Sequence, residues 1–92
     1  MASYYANQLR GHKTANGEHY DPKELTAAHP SLPFGTRVRV TAMATGKSVI
    51  VRINDRGPYA DGRIVDLSRR AAEVIGLVER GVGQVTLEVL SP

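Results

Sequence analysis

Three residues in this 92-residue chain have the types and settings that acid–base chemistry needs: Asp55, Glu18 and His29. Asp55 sits in Asn54-Asp55-Arg56-Gly57-Pro58, just beyond a strongly apolar run. A carboxylate at a strand end is readily presented into a groove, and Arg56 beside it can pair with Asp55 or with a substrate oxygen. Residue type alone, however, favours an Asx-turn, in which the side chain bonds its own backbone. Glu18 closes Thr14-Ala15-Asn16-Gly17-Glu18, and His29 closes Leu25-Thr26-Ala27-Ala28-His29 ahead of Pro30. Two carboxylates and an imidazole on loops can share a groove and tune one another's protonation. Taken singly, each has a plainer explanation: a solvated Glu18, and a His29 bonded to neighbouring backbone.

Other groups are weaker candidates. His12, His19 and His29, with Glu18 and Asp21, show no i, i+4 pair and no close hairpin pair of ligands, so no metal is expected. No nucleotide-binding loop and no Gly-x-Ser-x-Gly elbow is present, and no cofactor is expected. Asp66, in Arg63-Ile64-Val65-Asp66-Leu67-Ser68, is assigned a structural role at a helix start. Of Tyr4 and Tyr5, one is expected to pack and the other to reach the groove.

The elements that must position these groups are short. Thr36–Thr41 alternates, with Val38 and Val40 on one face and Arg37 and Arg39 on the other. Thr45-Gly46-Lys47 turns the chain, and Ser48–Ile53 returns with Val49, Val51 and Ile53 inward and Ile50 outward, making a β-hairpin. Ser3–Ala6, Leu25–Ala28, Arg63–Asp66 and Gln84–Leu90 read as further strands, the last with Val85, Leu87 and Val89 inward. Asp21–Leu25 reads as one helical turn. Ser68 caps a helix of about two turns that buries Leu67, Ala71, Ala72 and Ile75 and stops at Gly76, while Gly81–Gly83 reads as a turn. Six short strands with one or two short helices predict an all-β fold with small α content, arranged as a barrel because closure removes strand edges. The Thr36–Thr41 and Gln84–Val89 patterns are weakly alike, which hints at a duplicated half-barrel.

Composition narrows the partners only slightly. The net charge of +3 is spread along the chain, without a basic run, so nucleic acid is not expected as the partner. No apolar stretch approaches the length of a membrane span. The absence of cysteine rules out disulfide and thiolate–metal frameworks. Residues 1–92 are expected to form a single domain.

Six strings, in order, carry a resemblance. They are Ala2–Ala6 (ASYYA), Thr14–Glu18 (TANGE), Leu25–His29 (LTAAH), Leu32–Thr36 (LPFGT), Val51–Pro58 (VRINDRGP) and Arg63–Ser68 (RIVDLS). Together they resemble the double-psi β-barrel domain of the bacterial rare lipoprotein A family, across nearly the whole chain. The chain departs from the family pattern at Tyr4 and Ala6, where Trp and Gly are usual, and at Ala42-Met43, where Asn-Leu is common. The resemblance implies a six-stranded double-psi β-barrel and a lytic transglycosylase acting on peptidoglycan glycan strands in the periplasm. It places the catalytic Asp on Asp55 and its companions on Glu18 and His29. Tyr5, Thr14, Asn16, Asn54 and Arg56 are expected to contact the sugar. In that chemistry Asp55 protonates the glycosidic oxygen, which calls for a raised pKa, and Glu18 either repels it into its protonated form or orients His29. No targeting segment precedes Ala2, so the chain is read as a mature domain, monomeric, from a longer protein lipid-anchored at the outer membrane. The competing readings are an inverting hydrolase using Asp55 and Glu18, and an expansin-like module that binds wall glycan without cutting it.

Overall fold

The alternating apolar runs pair into one strongly curved sheet. A computed structural model describes residues 1–4, 11–59, 62–79 and 81–91. The strands are β1 (Ala2–Tyr4), β2 (Thr26–Ala28), β3 (Arg37–Ala42), β4 (Ser48–Asp55), β5 (Val65–Leu67), β6 (Val82–Gly83) and β7 (Val85–Ser91), with one helix, α1 (Arg69–Val74), between β5 and β6. Their order in the sheet is β6-β1-β5-β2-β4-β3-β7. β6 and β7 are one stretch of chain interrupted only at Gln84, yet they occupy opposite ends of that order. The two ends of the ladder therefore meet on a single segment, and the sheet is barrel-like. Counted as one interrupted strand, β6 and β7 restore the six strands that the sequence predicts.

The pairing has a two-fold pattern. β1 runs parallel to β5, and β2 runs parallel to β4. The antiparallel β2–β5 pair joins these units in the middle, and the antiparallel β3–β7 pair links the hairpin strand β3 to the C-terminal strand. The likeness between the β3 and β7 sequences fits this arrangement.

Side-chain alternation builds the core. Val38 and Val40 of β3 and Val49, Val51 and Ile53 of β4 are buried, joined by Ala2, Ala27, Val65, Leu67, Ala71, Ala72, Ile75 and Leu77. Each fully buried Val, Leu or Ile contributes roughly 1.5–3 kcal/mol relative to exposure. Ile50 faces outward as expected. β7 differs from expectation: Val85 and Leu87 pack against the core, but Val89 is 55% exposed. β7 pairs along one side only, and its last residues run beyond the core cluster.

Several local readings are corrected. Gly81–Gly83 is not simply a turn, because Val82 and Gly83 pair with Ser3 and Ala2. The short strand that follows β4 covers Val65–Leu67 rather than Arg63–Asp66, in register with Ala2–Tyr4. Asp21–Leu25 forms a single turn, closed by the Glu24 N–H on the Asp21 carbonyl (3.1 Å) and the Lys23 N–H on Asp21 Oδ1 (2.9 Å), before the chain extends into β2. α1 is six residues, shorter than two turns. Asp66 does not serve the helix start: it accepts from the Ser3 hydroxyl and pairs with Arg63 across 3.3 Å. Asp66 lies within β5, beside β1, so it meets Ser3 of the neighbouring strand and Arg63 just upstream, not the helix start.

Ser68 holds the helix start instead. Its hydroxyl accepts from the Ala71 N–H (3.3 Å) and the Thr26 N–H (3.4 Å) and donates to the Glu24 carbonyl (2.5 Å). One fully buried hydroxyl thus joins α1, β2 and the preceding turn. Ser68→Ala strands these backbone groups, and the expected loss is about 2 kcal/mol, measured as a lower urea midpoint with an unchanged slope.

Candidate active site

Strict alternation along β4 would put Arg52 and Asp55, three residues apart, on opposite faces. They are not. β2 and β4 shift register between Ala27 and Ala28: Ala27 faces Ile53, whereas Ala28 faces Asp55, so Asn54 is an extra residue. Ile53 and Asn54 are consecutively buried, and Asp55 emerges half-buried on the accessible side with Arg52. A bulge of this kind re-aims the side chain that follows it.

Two loops converge on the re-aimed Asp55. Its Oδ1 accepts from the Ala15 N–H at 2.8 Å and from the Arg56 N–H at 2.8 Å. The His29 N–H donates to the Asp55 carbonyl at 3.2 Å, and the Asn16 N–H donates to the Asn54 carbonyl at 3.2 Å. The 14–18 loop is a tight turn, closed by the Gly17 N–H on the Thr14 carbonyl (3.0 Å) and the Thr14 N–H on the Glu18 carbonyl (2.6 Å). Gly17 takes φ +93°, a left-handed conformation that suits glycine.

Glu18 lies at the centre of a polar network. Arg52 grips both of its oxygens, Nη1 on Oε2 at 2.7 Å and Nη2 on Oε1 at 3.0 Å. Asn54 Nδ2 donates to Oε1 and Asn16 Nδ2 to Oε2, each at 3.0 Å. Asn16 Oδ1 accepts in turn from the Thr14 hydroxyl (2.6 Å) and the Glu18 N–H (3.1 Å). The Arg52 guanidinium first, then the Asn54 amide, hold the Glu18 carboxyl at about 2, against a small opposing effect of burial. A carboxylate held this way is a very weak base and carries a full charge matched to Arg52. Thr14, Asn16 and Asn54, expected to contact sugar, spend these side-chain groups on Glu18 and on one another.

His29 is oriented by backbone. Its Nδ1 accepts from the N–H groups of Ser31 and Leu32, both at 3.1 Å. The proton of the neutral ring therefore resides on Nε2, which is left as a donor. Burial, and then the positive charge of Arg56, push the His29 pKa below its usual value. The guanidinium of Arg56 does not pair with Asp55. It donates through Nη1 to the carbonyls of Leu32 (2.7 Å) and His29 (3.3 Å) and lies 4.0 Å over the Phe34 ring. It braces the 29–34 loop.

Seven of the eight residues singled out by sequence thus gather at the end of β4. Tyr5 lies outside the described residues. Tyr4 packs half-buried against the core, with its hydroxyl on the Val78 carbonyl at 3.1 Å. Sequence reasoning missed Arg52 and Phe34. The string Val51–Pro58 contains Arg52 in plain view, but its alternation gives no sign that its partner is Glu18. Among the described residues, no three His, Cys, Asp or Glu side chains group as metal ligands would, and no helix is long and apolar enough to cross a membrane.

Known proteins are similar to this chain, some in sequence and one in fold. The family model for the lytic transglycolase domain matches residues 1–87. The probable endolytic peptidoglycan transglycosylase RlpA of Synechocystis is 53% identical over 90 residues, covering 98% of this chain and 28% of that protein. The endolytic peptidoglycan transglycosylase RlpA of Haemophilus influenzae is 51% identical over 90 residues, covering 98% of this chain and 31% of that protein. The chain therefore spans about a third or less of these two relatives. Among solved structures, Streptomyces papain inhibitor superposes with a TM-score of 0.75 at 24% identity, covering 97% of this chain and 89% of that one. The shared fold is the double-psi β-barrel.

Two outcomes follow from these charges. The Glu18 pKa is lower folded than unfolded, so its contribution to stability is complete above about 4.5 and is lost as pH falls through about 2. Because the pair faces solvent on one side, its size is about 1 kcal/mol. Glu18→Gln is expected to flatten that part of an acid-denaturation curve by this amount. For His29, nitrogen NMR at neutral pH is expected to show the Nε2–H tautomer, with a titration midpoint below 6.5.

Proposed function

Because this chain belongs to the lytic transglycolase family, we propose that it cleaves the β-1,4 bond between N-acetylmuramic acid and N-acetylglucosamine in peptidoglycan, leaving 1,6-anhydro-muramyl ends. The observation that carries the assignment of residues is the Asp55 carboxylate, turned out of β4 by the extra residue and held through Oδ1 by two backbone N–H groups. The acid form of Asp55 carries the proton that the reaction moves. That proton passes to the glycosidic oxygen as the bond from the muramic C1 breaks. The resulting carboxylate takes the proton of the C6 hydroxyl of the same sugar, whose oxygen bonds to C1 and closes the anhydro ring. No water enters, and Asp55 ends protonated as it began.

His29 donates from Nε2 to a sugar hydroxyl or to the departing oxygen. Glu18 acts as a fixed anion that orders the 14–18 turn. An inverting hydrolase would need a second carboxylate able to take a proton from water. Glu18, held at about 2 by Arg52, is poorly suited to that role. Tyr5 and exposed backbone of the 14–18 turn contact the glycan, and Thr14, Asn16, Asn54 and Arg56 shape the walls of the site. The whole of residues 1–92 acts as one catalytic unit and as a monomer, outside the cytoplasm. In a longer protein of the same family, a segment beyond these residues supplies attachment to the outer membrane.

Mass spectrometry of purified peptidoglycan tests this directly. Wild type is expected to release anhydro-muramyl ends. Asp55→Asn keeps an oxygen for the Ala15 and Arg56 N–H groups but cannot shuttle a proton, so release falls by about 10³-fold or more, with the melting temperature nearly unchanged. Equal release by the two proteins would remove Asp55 from the chemistry. No release by either would favour a binding module.

A further inference from the structure

We propose that Arg52 is a positioning residue for this cleavage: it holds the 14–18 turn where the Ala15 N–H reaches Asp55. The inference rests on the reading of Asp55 as acid and base.

The path is short and continuous. Arg52 is anchored in β4 between the buried residues Val51 and Ile53, so its backbone is fixed. Its guanidinium engages Glu18 through two parallel hydrogen bonds of 2.7 and 3.0 Å, a fork geometry that fixes the carboxylate in direction as well as distance. Glu18 in turn closes the turn, its carbonyl accepting from the Thr14 N–H at 2.6 Å and its N–H reaching Asn16 Oδ1 at 3.1 Å. The next residue after Thr14 is Ala15, whose N–H lies 2.8 Å from Asp55 Oδ1. Both ends of the path root in one strand, three residues apart. β4 thus carries the reacting carboxylate and also the clamp on the loop that aims it.

The clamp is specific to arginine. Among the described residues Glu24 is a second anion near Arg52, its Oε2 3.8 Å from the same Nη2 that donates to Glu18. A lysine ammonium at position 52 would keep a charge near both carboxylates but could not present two parallel N–H groups to Glu18. Small misplacement of a reacting group is costly, on the order of 10²-fold for about 1 Å.

The test separates aiming from folding by using the two donors on Asp55 Oδ1 as paired reporters. Ala15 reaches that oxygen across the turn, whereas Arg56 is its chain neighbour. In wild type, the amide proton shifts of Ala15 and Arg56 are expected to move together as the Asp55 carboxyl is titrated. In Arg52→Lys and Arg52→Met, the Ala15 response is expected to shrink at least about threefold while the Arg56 response persists. General loosening of the fold would reduce both. On peptidoglycan, kcat for anhydro-muramyl release is expected to fall about 10- to 100-fold in both variants, with KM changed less than about threefold. Arg52→Met combined with Glu18→Gln is expected to be no slower than Arg52→Met alone, because the two act in series.

A wild-type Ala15 response or wild-type kcat in Arg52→Met overturns the proposal, as does full recovery of kcat by lysine. If wild type releases no anhydro-muramyl ends, the reading of Asp55 fails, and the Ala15 and Arg56 responses still decide whether Arg52 holds the turn.

Discussion

One extra residue in β4 decides which way Asp55 points. Were Asn54 an ordinary ladder position and not an extra residue between those opposite Ala27 and Ala28, alternation would send the carboxylate toward the barrel interior. The bulge has its own cost. Asn54 is 2% exposed, and its Oδ1 is buried with no hydrogen-bond partner among the described residues, a loss of about 1–3 kcal/mol. Its Nδ2 offsets part of this by bonding the charged Glu18. The same residue that re-aims Asp55 therefore joins the network that holds the neighbouring turn.

The rest of the barrel supplies a rigid frame for that bulge. β4 is clasped on one side by β3 and on the other by β2, which runs parallel to it. The stripe Val49, Val51 and Ile53 locks it into the core. β2 ends at Ala28, so His29 falls beside Asp55 by the register of the parallel pair, and its N–H bonds the Asp55 carbonyl. Arg56 then braces the 29–34 loop through two carbonyls and the Phe34 ring. Strand pairing brings the 29–34 loop to the end of β4, and hydrogen bonds from Ala15, Asn16 and Glu18 bring the 14–18 turn there.

Much of this was legible in the residues. The alternation of β3 and β4, the Ser68 cap and the stop at Gly76 are local patterns, and each lies where those patterns place it. The six strings carried the fold family and gathered Asp55, Glu18 and His29. What sequence left hidden depends on register and partner choice. Val82–Gly83 is too short to signal a strand and is one only because Ala2 and Ser3 lie beside it. Val89 alternates like a core residue, yet the core ends before it. The Glu18–Arg52 fork spans 34 positions, and nothing local in either string announces it. The residues read as sugar contacts, Thr14, Asn16, Asn54 and Arg56, also bond one another, Glu18 and backbone, partners that only the folded register supplies.

In the proposed reaction Asp55 passes a proton between two oxygens of the substrate, and water takes no part in the bond exchange. Digestion of purified peptidoglycan in ¹⁸O-labelled water tests it most directly, with the new sugar ends read by mass spectrometry. The expected products are 1,6-anhydro-muramyl ends that carry no label. New reducing ends bearing ¹⁸O would contradict it and make the enzyme a hydrolase.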